Sequence, residues 1–336
     1  MPPTIYEVSE LAGVSLATVS RVMNDSGKVS PRTRKKVETA MKELGYRPNS
    51  NAQSLASNRS NSVGVIVPVL YGPFYGEMLA GILDEFRQAG KHVIITTGDE
   101  QESGEREGVE FLLSKSCDAL ILWLDSLPDE ELIDLSRGAA PMIVLGREIS
   151  EIADHCIYLD DELGGYLATR SVLVLGHRNI AYISGPLDKA DAQARLAGHR
   201  RALEEFGAEF EPQLVVEGNF QESGGNRAMK QLLQYEQRFS VVVCANDEMA
   251  AGAFGVLRER DVQIPEEISI MGFDNVFFTE YFRPRLSTVN NPVREMGKMA
   301  ALCVLKEVYG VDRDEIQHRF EPELVLRTSV SCKTGI

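Results

Sequence analysis

From Val63 onward the chain is written as short aliphatic runs separated by longer stretches of helical character. Val63–Val69, His92–Thr97, Ala119–Leu124, Pro141–Leu145, Ala181–Ser184, Val241–Ala245 and Ser269–Phe273 have the length and composition of buried strands. Phe74–Gln88 and Arg106–Ser114 have those of helices. Strands that alternate with helices imply crossover connections, hence parallel sheets covered on both faces. The segment is too long for one such sheet, so two are expected. The fold class is therefore α/β for the body, preceded by a separate helical head.

The head begins with Thr4, placed to cap a helix, and Glu7 three residues on completes a capping box. Val8, Leu11 and Ala12 form an apolar stripe, Gly13 turns the chain, and Ser15 caps a second helix. Two short helices joined by a glycine turn make a helix-turn-helix. The second helix carries Ala17, Thr18 and Arg21 beside apolar Leu16, Val19 and Val22. Short polar side chains and one Arg suit the base edges of a major groove. Ser30-Pro31 starts a third helix, rich in Arg and Lys, that Gly45 stops. Residues 1–59 hold nine Lys/Arg against five Asp/Glu, a net +4, whereas the whole chain carries −15. A basic head on an acidic body favours one docking face for nucleic acid and repels it elsewhere. Asn49 to Ser62, rich in Asn, Ser and Ala, reads as a linker whose notable apolar pair is Leu55-Ala56.

Several chemistries are disfavoured. There is no G-x-G-x-x-G, no P-loop and no G-x-S-x-G, and the five histidines have no ligand spacing. Neither a cofactor nor a metal is expected. The five cysteines are scattered without C-x-x-C, as reduced and mostly buried thiols would be. No basic start with an apolar run opens the chain, and no apolar run approaches a membrane span, so a cytoplasmic protein without membrane association is expected.

The run from Ala12 to Asn24 (A-G-V-S-L-A-T-V-S-R-V-M-N), then Gly45-Tyr46-Arg47-Pro48-Asn49 and Ala52-Gln53-Ser54-Leu55-Ala56, resembles the LacI/GalR family of bacterial transcription repressors. The later motifs are most similar to the galactose repressors within it. The resemblance implies a helix-turn-helix head over residues 1–48 and a linker helix over 49–61. It also implies a body over 62–332 similar to periplasmic sugar-binding proteins. There, lobe one (62–159 and 290–319) and lobe two (160–289 and 320–332) would face a cleft. Asp160-Asp161-Glu162, Thr288–Pro292 and Arg319–Pro322 are the expected crossings between them.

Ala17, Thr18 and Arg21 would meet bases. Leu16 would either pack inward or touch a thymine methyl. Ser15, Ser20, Asn24, Ser30, Thr33 and Tyr46 would mostly meet phosphates, with Asn49, Gln53, Leu55 and Ala56 as further linker contacts. Two linker helices of a dimer would wedge Leu55 into the minor groove. For the effector, Phe74 and Tyr75 at a helix start could stack on a sugar ring or merely staple the helix. Asp191 and Arg195 could clamp vicinal hydroxyls or form an i,i+4 ion pair. Asn246 and Asp274 follow strands, where such sheets bind ligands. Asp247 reads as a helix cap, and Phe220 as an aromatic closing the cleft. Gly146-Arg147 stands where several galactose repressors carry Asn-Arg, so Arg147 could contribute while Gly146 removes a contact.

The combined expectation is a homodimeric repressor on a palindromic double-stranded operator, released by a hexose such as D-galactose. A regulator of the same family that uses another sugar or a corepressor, a sugar-binding receptor without gene regulation and a sugar-acting enzyme are the alternatives.

Overall fold

The computed structural model describes residues 3–23, 27, 29–46, 59–99, 101–138, 140–235, 239–311, 313 and 315–333. Asn24, Asn49, Gln53, Leu55 and Ala56, with residues 49–58 of the expected linker helix, lie outside them. The chain divides into two units, Met1–Asn61 and Ser62–Ile336.

In the first unit, α1 (Ile5–Ala12), α2 (Leu16–Met23) and α3 (Pro31–Leu44) enclose a small core of Val8, Ala12, Val19, Val22, Val37 and Ala40. The caps are those the sequence announces. The Glu7 N–H donates to Thr4 Oγ1 at 3.4 Å, and Thr4 N donates back to the Glu7 carboxylate at 2.6 Å. Ser15 accepts from Thr18 N at 3.2 Å, and Ser30 from Thr33 N at 3.2 Å. Gly13 and Gly45 close α1 and α3 at φ +62° and +64°, left-handed geometry that glycine adopts without cost. Leu11 departs from expectation: it is 51% exposed, because Val8 and Ala12, one turn apart, fill the seam to α3 and leave it on the flank. Leu16 also faces outward, at 36% exposure, while Val19 and Val22 are buried.

The second unit holds two parallel sheets. One contains β1 (Ser62–Val67), β2 (His92–Thr97), β3 (Ala119–Leu122), β4 (Met142–Leu145), β5 (Cys156–Leu159) and β11 (Arg319–Phe320), in the order β11-β5-β4-β3-β1-β2. The other contains β6 (Ile180–Ser184), β7 (Val215–Glu217), β8 (Val241–Cys244) and β9 (Ser269–Met271), in the order β7-β6-β8-β9. We call these lobe one and lobe two. Helices α4 (Pro73–Gln88), α5 (Glu102–Ser114), α6 (Asp129–Ser136) and α11 (Val293–Tyr309) accompany the first sheet. Helices α7 (Asp161–Val174), α8 (Ala190–Glu205), α9 (Glu222–Leu232) and α10 (Asp247–Glu259) accompany the second.

The chain passes between sheets at Asp160, through β10 (Thr288–Asn290), and after β11 into β12 (Glu323–Val325). β10 and β12 run antiparallel, with Val289 opposite Leu324, because one leaves lobe two as the other returns to it. α7 and α8 pack backbone to backbone. A Cβ on Gly165 would sit 2.0 Å from the Arg195 carbonyl oxygen, and one on Gly198 2.0 Å from that of Glu162. All five cysteines are free, and four of them are buried. No described helix is long and apolar enough to cross a membrane.

Candidate functional site

The two sheets point their carboxyl ends at one cleft. Lobe one contributes Phe74 and Tyr75 from the start of α4 and Trp123 and Asp125 from the loop after β3. Lobe two contributes Lys189 and Asp191 after β6, Arg195 on α8, Phe220 after β7, Asn246 after β8 and Asp274 after β9. Strand carboxyl ends are where chain direction changes leave a crevice, so contacts from separate strands converge.

Arg195 is the electrostatic centre. Only 4% exposed, it donates from Nε to Asp161 Oδ1 at 2.7 Å and from NH1 to the Ala245 carbonyl at 2.6 Å. Asp274 lies 3.7 Å from NH1 and Asp191 3.9 Å from NH2. Its guanidinium lies 3.9 Å from the Phe273 ring centroid and 5.7 Å from that of Phe220. Burial opposes its charge, but the carboxylates of Asp161, Asp274 and Asp191 hold the proton more firmly than usual. The carboxyls feel the same burial: it pushes Asp161 up to about 6 and Asp274 well above the carboxylate range, although Arg195 pulls both down. A buried network of this kind fixes several oxygen acceptors in place, ready for ligand hydroxyls.

Opposite stands an aromatic wall. Phe74, Tyr75 and Trp123 meet edge to face, with centroids 5.2, 5.4 and 5.7 Å apart. Gly146 makes this wall possible: at φ +89°, a Cβ there would lie 2.7 Å from the indole. The glycine expected to remove a contact therefore makes room for the Trp123 ring.

Phe220 is held by its own carbonyl, which accepts from Asn246 Nδ2 at 2.7 Å, while Asn246 Oδ1 accepts from Met249 N at 2.9 Å and caps α10. Asp247 is not a second cap. It is fully buried, and it accepts from Thr288 Oγ1 at 2.7 Å and from Val276 N at 3.0 Å, which ties α10 to β10. Burial raises its carboxyl to about 7.

The structure thus brings together Phe74, Tyr75, Asp191, Arg195, Phe220, Asn246 and Asp274. Arg147 is not with them. Its NH2 donates to the Leu127 carbonyl at 2.7 Å, its NH1 lies 3.3 Å from Asp129, and it lines a neighbouring cavity that shares only Asp191. Sequence reasoning missed Trp123, Asp125, Lys189 and Glu248. The first two stand just past β3 and Lys189 just past β6, the same rule that found the others. Among the described residues, no group of three or more His, Cys, Asp or Glu is disposed to hold a metal ion.

On the head, α2 exposes Leu16, Ala17 and Arg21, with Ser15 beside them and Thr18 and Ser20 half-buried. Ser30 is exposed at the start of α3, Thr33 is half-buried, and Tyr46 packs on the head core.

Residues 4–49 match the profile of bacterial regulatory proteins of the lacI family, and residues 169–330 that of the periplasmic binding protein-like domain. The chain is 40% identical over 328 residues to the transcriptional regulator GalR of Escherichia coli K12, covering 98% of this chain and 96% of that one. The chain belongs to the LacI family of bacterial regulatory proteins. It is therefore a DNA-binding, sugar-responsive transcriptional repressor and not an enzyme. The repressor PurR of Vibrio atlanticus is 36% identical over 331 residues, covering 97% of this chain and 98% of that one. Among solved structures, the lac repressor dimer bound to operator and the anti-inducer ONPF superposes with a TM-score of 0.85 at 30% identity, covering 98% of this chain and 100% of that one. The regulator CelR with cellobiose superposes at 0.71 and 31% identity, covering 97% and 99%.

Proposed function

We propose that the protein acts in the cytoplasm as a homodimer that represses sugar-utilisation genes from a palindromic operator and leaves it when a hexose, D-galactose first, fills the cleft. The observation that carries the reading is the pairing across the cleft: an aromatic wall of Phe74, Tyr75 and Trp123 faces the Asp191–Arg195–Asp274 network and Asn246. One face of a pyranose is apolar and its rim is all hydroxyl, and the two walls match those halves. Asp191 four residues before Arg195, with Leu-Ala-Gly following, supports galactose in particular.

In this reading Leu16, Ala17, Thr18 and Arg21 meet bases. Ser15, Ser20, Asn24, Ser30, Thr33, Tyr46, Asn49 and Gln53 fix the register, and Leu55-Ala56 enters the minor groove. The sugar stabilises one lobe arrangement over another, and that difference reaches the head as a coupling of about 1–3 kcal/mol.

The test is calorimetry and operator retardation with D-galactose, D-glucose, cellobiose and hypoxanthine. D-galactose is expected to bind and to release the operator. At 100 times its Kd a ligand adds about 2.7 kcal/mol of stability, which thermal unfolding also reads. Binding of cellobiose or hypoxanthine with indifference to every hexose would replace the hexose reading.

A further inference from the structure

Asp125 and Lys189 face each other from opposite lobes. Lys189 Nζ donates to Asp125 Oδ2 at 3.1 Å, and the two side chains are only 13% and 19% exposed. Taking two charges out of water costs several kcal/mol, so a pair this enclosed is weak evidence of a stabilising role.

Asp125 is also fixed before any ligand arrives. Glu105, fully buried on α5, accepts from the N–H groups of Asp125 at 2.8 Å, Ser126 at 3.0 Å to each oxygen and Leu127 at 2.7 Å. Trp123 Nε1 donates to Asp125 Oδ1 at 3.2 Å. A carboxylate buried to clamp three consecutive amides is an expensive way to hold a surface loop, unless the loop presents something that must not move. What it presents is the Asp125 carboxylate, aimed at an ammonium on the other lobe and into the cleft.

We propose that Asp125 and Lys189 are a cross-cleft recognition pair. When the sugar binds, one hydroxyl enters between them, donates to the Asp125 carboxylate and accepts from the Lys189 ammonium. The proposal rests on the sugar reading above and deepens it by naming the contact that joins ligand identity to lobe closure. A hydroxyl can donate and accept at once, so it satisfies both partners. A deoxy position satisfies neither, an O-methyl group cannot donate, and a phosphate repels Asp125. The site therefore selects an unmodified, unphosphorylated sugar at that position, with Glu105 as the positioning residue.

The experiment is a double-mutant cycle on the full chain, with Asp125→Asn, Lys189→Met and both together. D-galactose and its monodeoxy derivatives are titrated by calorimetry and by the emission of Trp123, the single tryptophan. Each single variant is expected to lose at least tenfold in affinity, with the double variant no worse than the weaker single. One monodeoxy sugar should bind wild type at least tenfold more weakly than D-galactose does, yet bind the double variant equally well. Thermal midpoints identify any variant that fails to fold, and the uncharged double variant keeps the comparison available in that case. Multiplying losses, unchanged affinities, or the same deoxy pattern in wild type and double variant would overturn the pair. If wild type binds no sugar at all, the sugar reading falls and takes this with it. If wild type binds but the cycle is additive, only the pair falls.

Discussion

Arg195 has more carboxylates around it than it can neutralise. Asp161, Asp191 and Asp274 all lie within 3.9 Å of its guanidinium. Arg195→Met should destabilise the body by about 3–5 kcal/mol in urea unfolding, because buried carboxylates would lose their counterion. Asp191 is the most accessible of the three, and its removal leaves the head and the Arg195–Asp161 bond intact. Asp191→Ala should therefore keep operator retardation while weakening sugar affinity by calorimetry; unchanged affinity for every sugar would remove Asp191 from the site. His199, packed on Tyr182 with Nδ1 2.9 Å from Thr169 Oγ1, is held neutral by burial, its pKa lowered to about 3. Its depressed pKa makes its contribution fully present above the unfolded value of about 6.5 and lost as pH falls toward 3. His199→Gln should flatten the stability slope between pH 6 and pH 4 by up to about 1.4 kcal/mol per unit. At this scale the sequence exposed residues embedded in motifs, such as Arg195 before Leu-Ala-Gly and Asn246 after a strand. It hid Asp125 and Lys189, since their meaning lies in a partner 64 positions away that only the fold brings near.

Elements were more legible than single contacts. The strand at His92–Thr97 stands where the alternation put it. Cys156–Leu159 and Val215–Glu217 escaped notice because four- and three-residue strands carry too little pattern to separate from loop. Other strands ended early: Trp123 and Phe273 are apolar enough to read as strand, yet Trp123 lines the cleft and Phe273 lies buried beneath the Arg195 guanidinium. The α7–α8 contact offers a test at this scale. Gly165→Ala would press a methyl against the Arg195 carbonyl and push α8, with Asp191 and Arg195, off its seat. Overpacking of this kind costs about 1–3 kcal/mol, so the thermal midpoint and sugar affinity should fall together. In the head, Arg21→Ala should lower specific operator affinity by about 1–3 kcal/mol if the guanidinium meets a guanine, with random DNA affected less.

The whole molecule separates its two tasks. Every residue lining the cleft lies in the Ser62–Ile336 unit, so a chain lacking residues 1–61 should retain sugar affinity and lose operator retardation. Light scattering of the full chain at micromolar concentration should give about twice 37.2 kDa, since one head reads one half-site. A mass near four chains without DNA would contradict this. The two-lobe plan was legible because strand-helix alternation is written along the entire body. The route of the chain between lobes was legible only with the family resemblance, as nothing local marks a crossing.

That route has a consequence for synthesis. Lobe one begins at Ser62, but α11 packs on α4 only after Tyr309 has been made, and β11 joins β5 only at Phe320. Lobe two begins at Asp161, yet the Ile270 N–H waits for the Ser329 carbonyl, and His177 waits for that of Ser331. On the ribosome, the head can fold as soon as it emerges, while lobe one waits for Phe320 and lobe two for Ser331. A message cut short before Phe320 would then yield a folded head on an unfolded body, a product for proteases and chaperones rather than a regulator that answers to its effector.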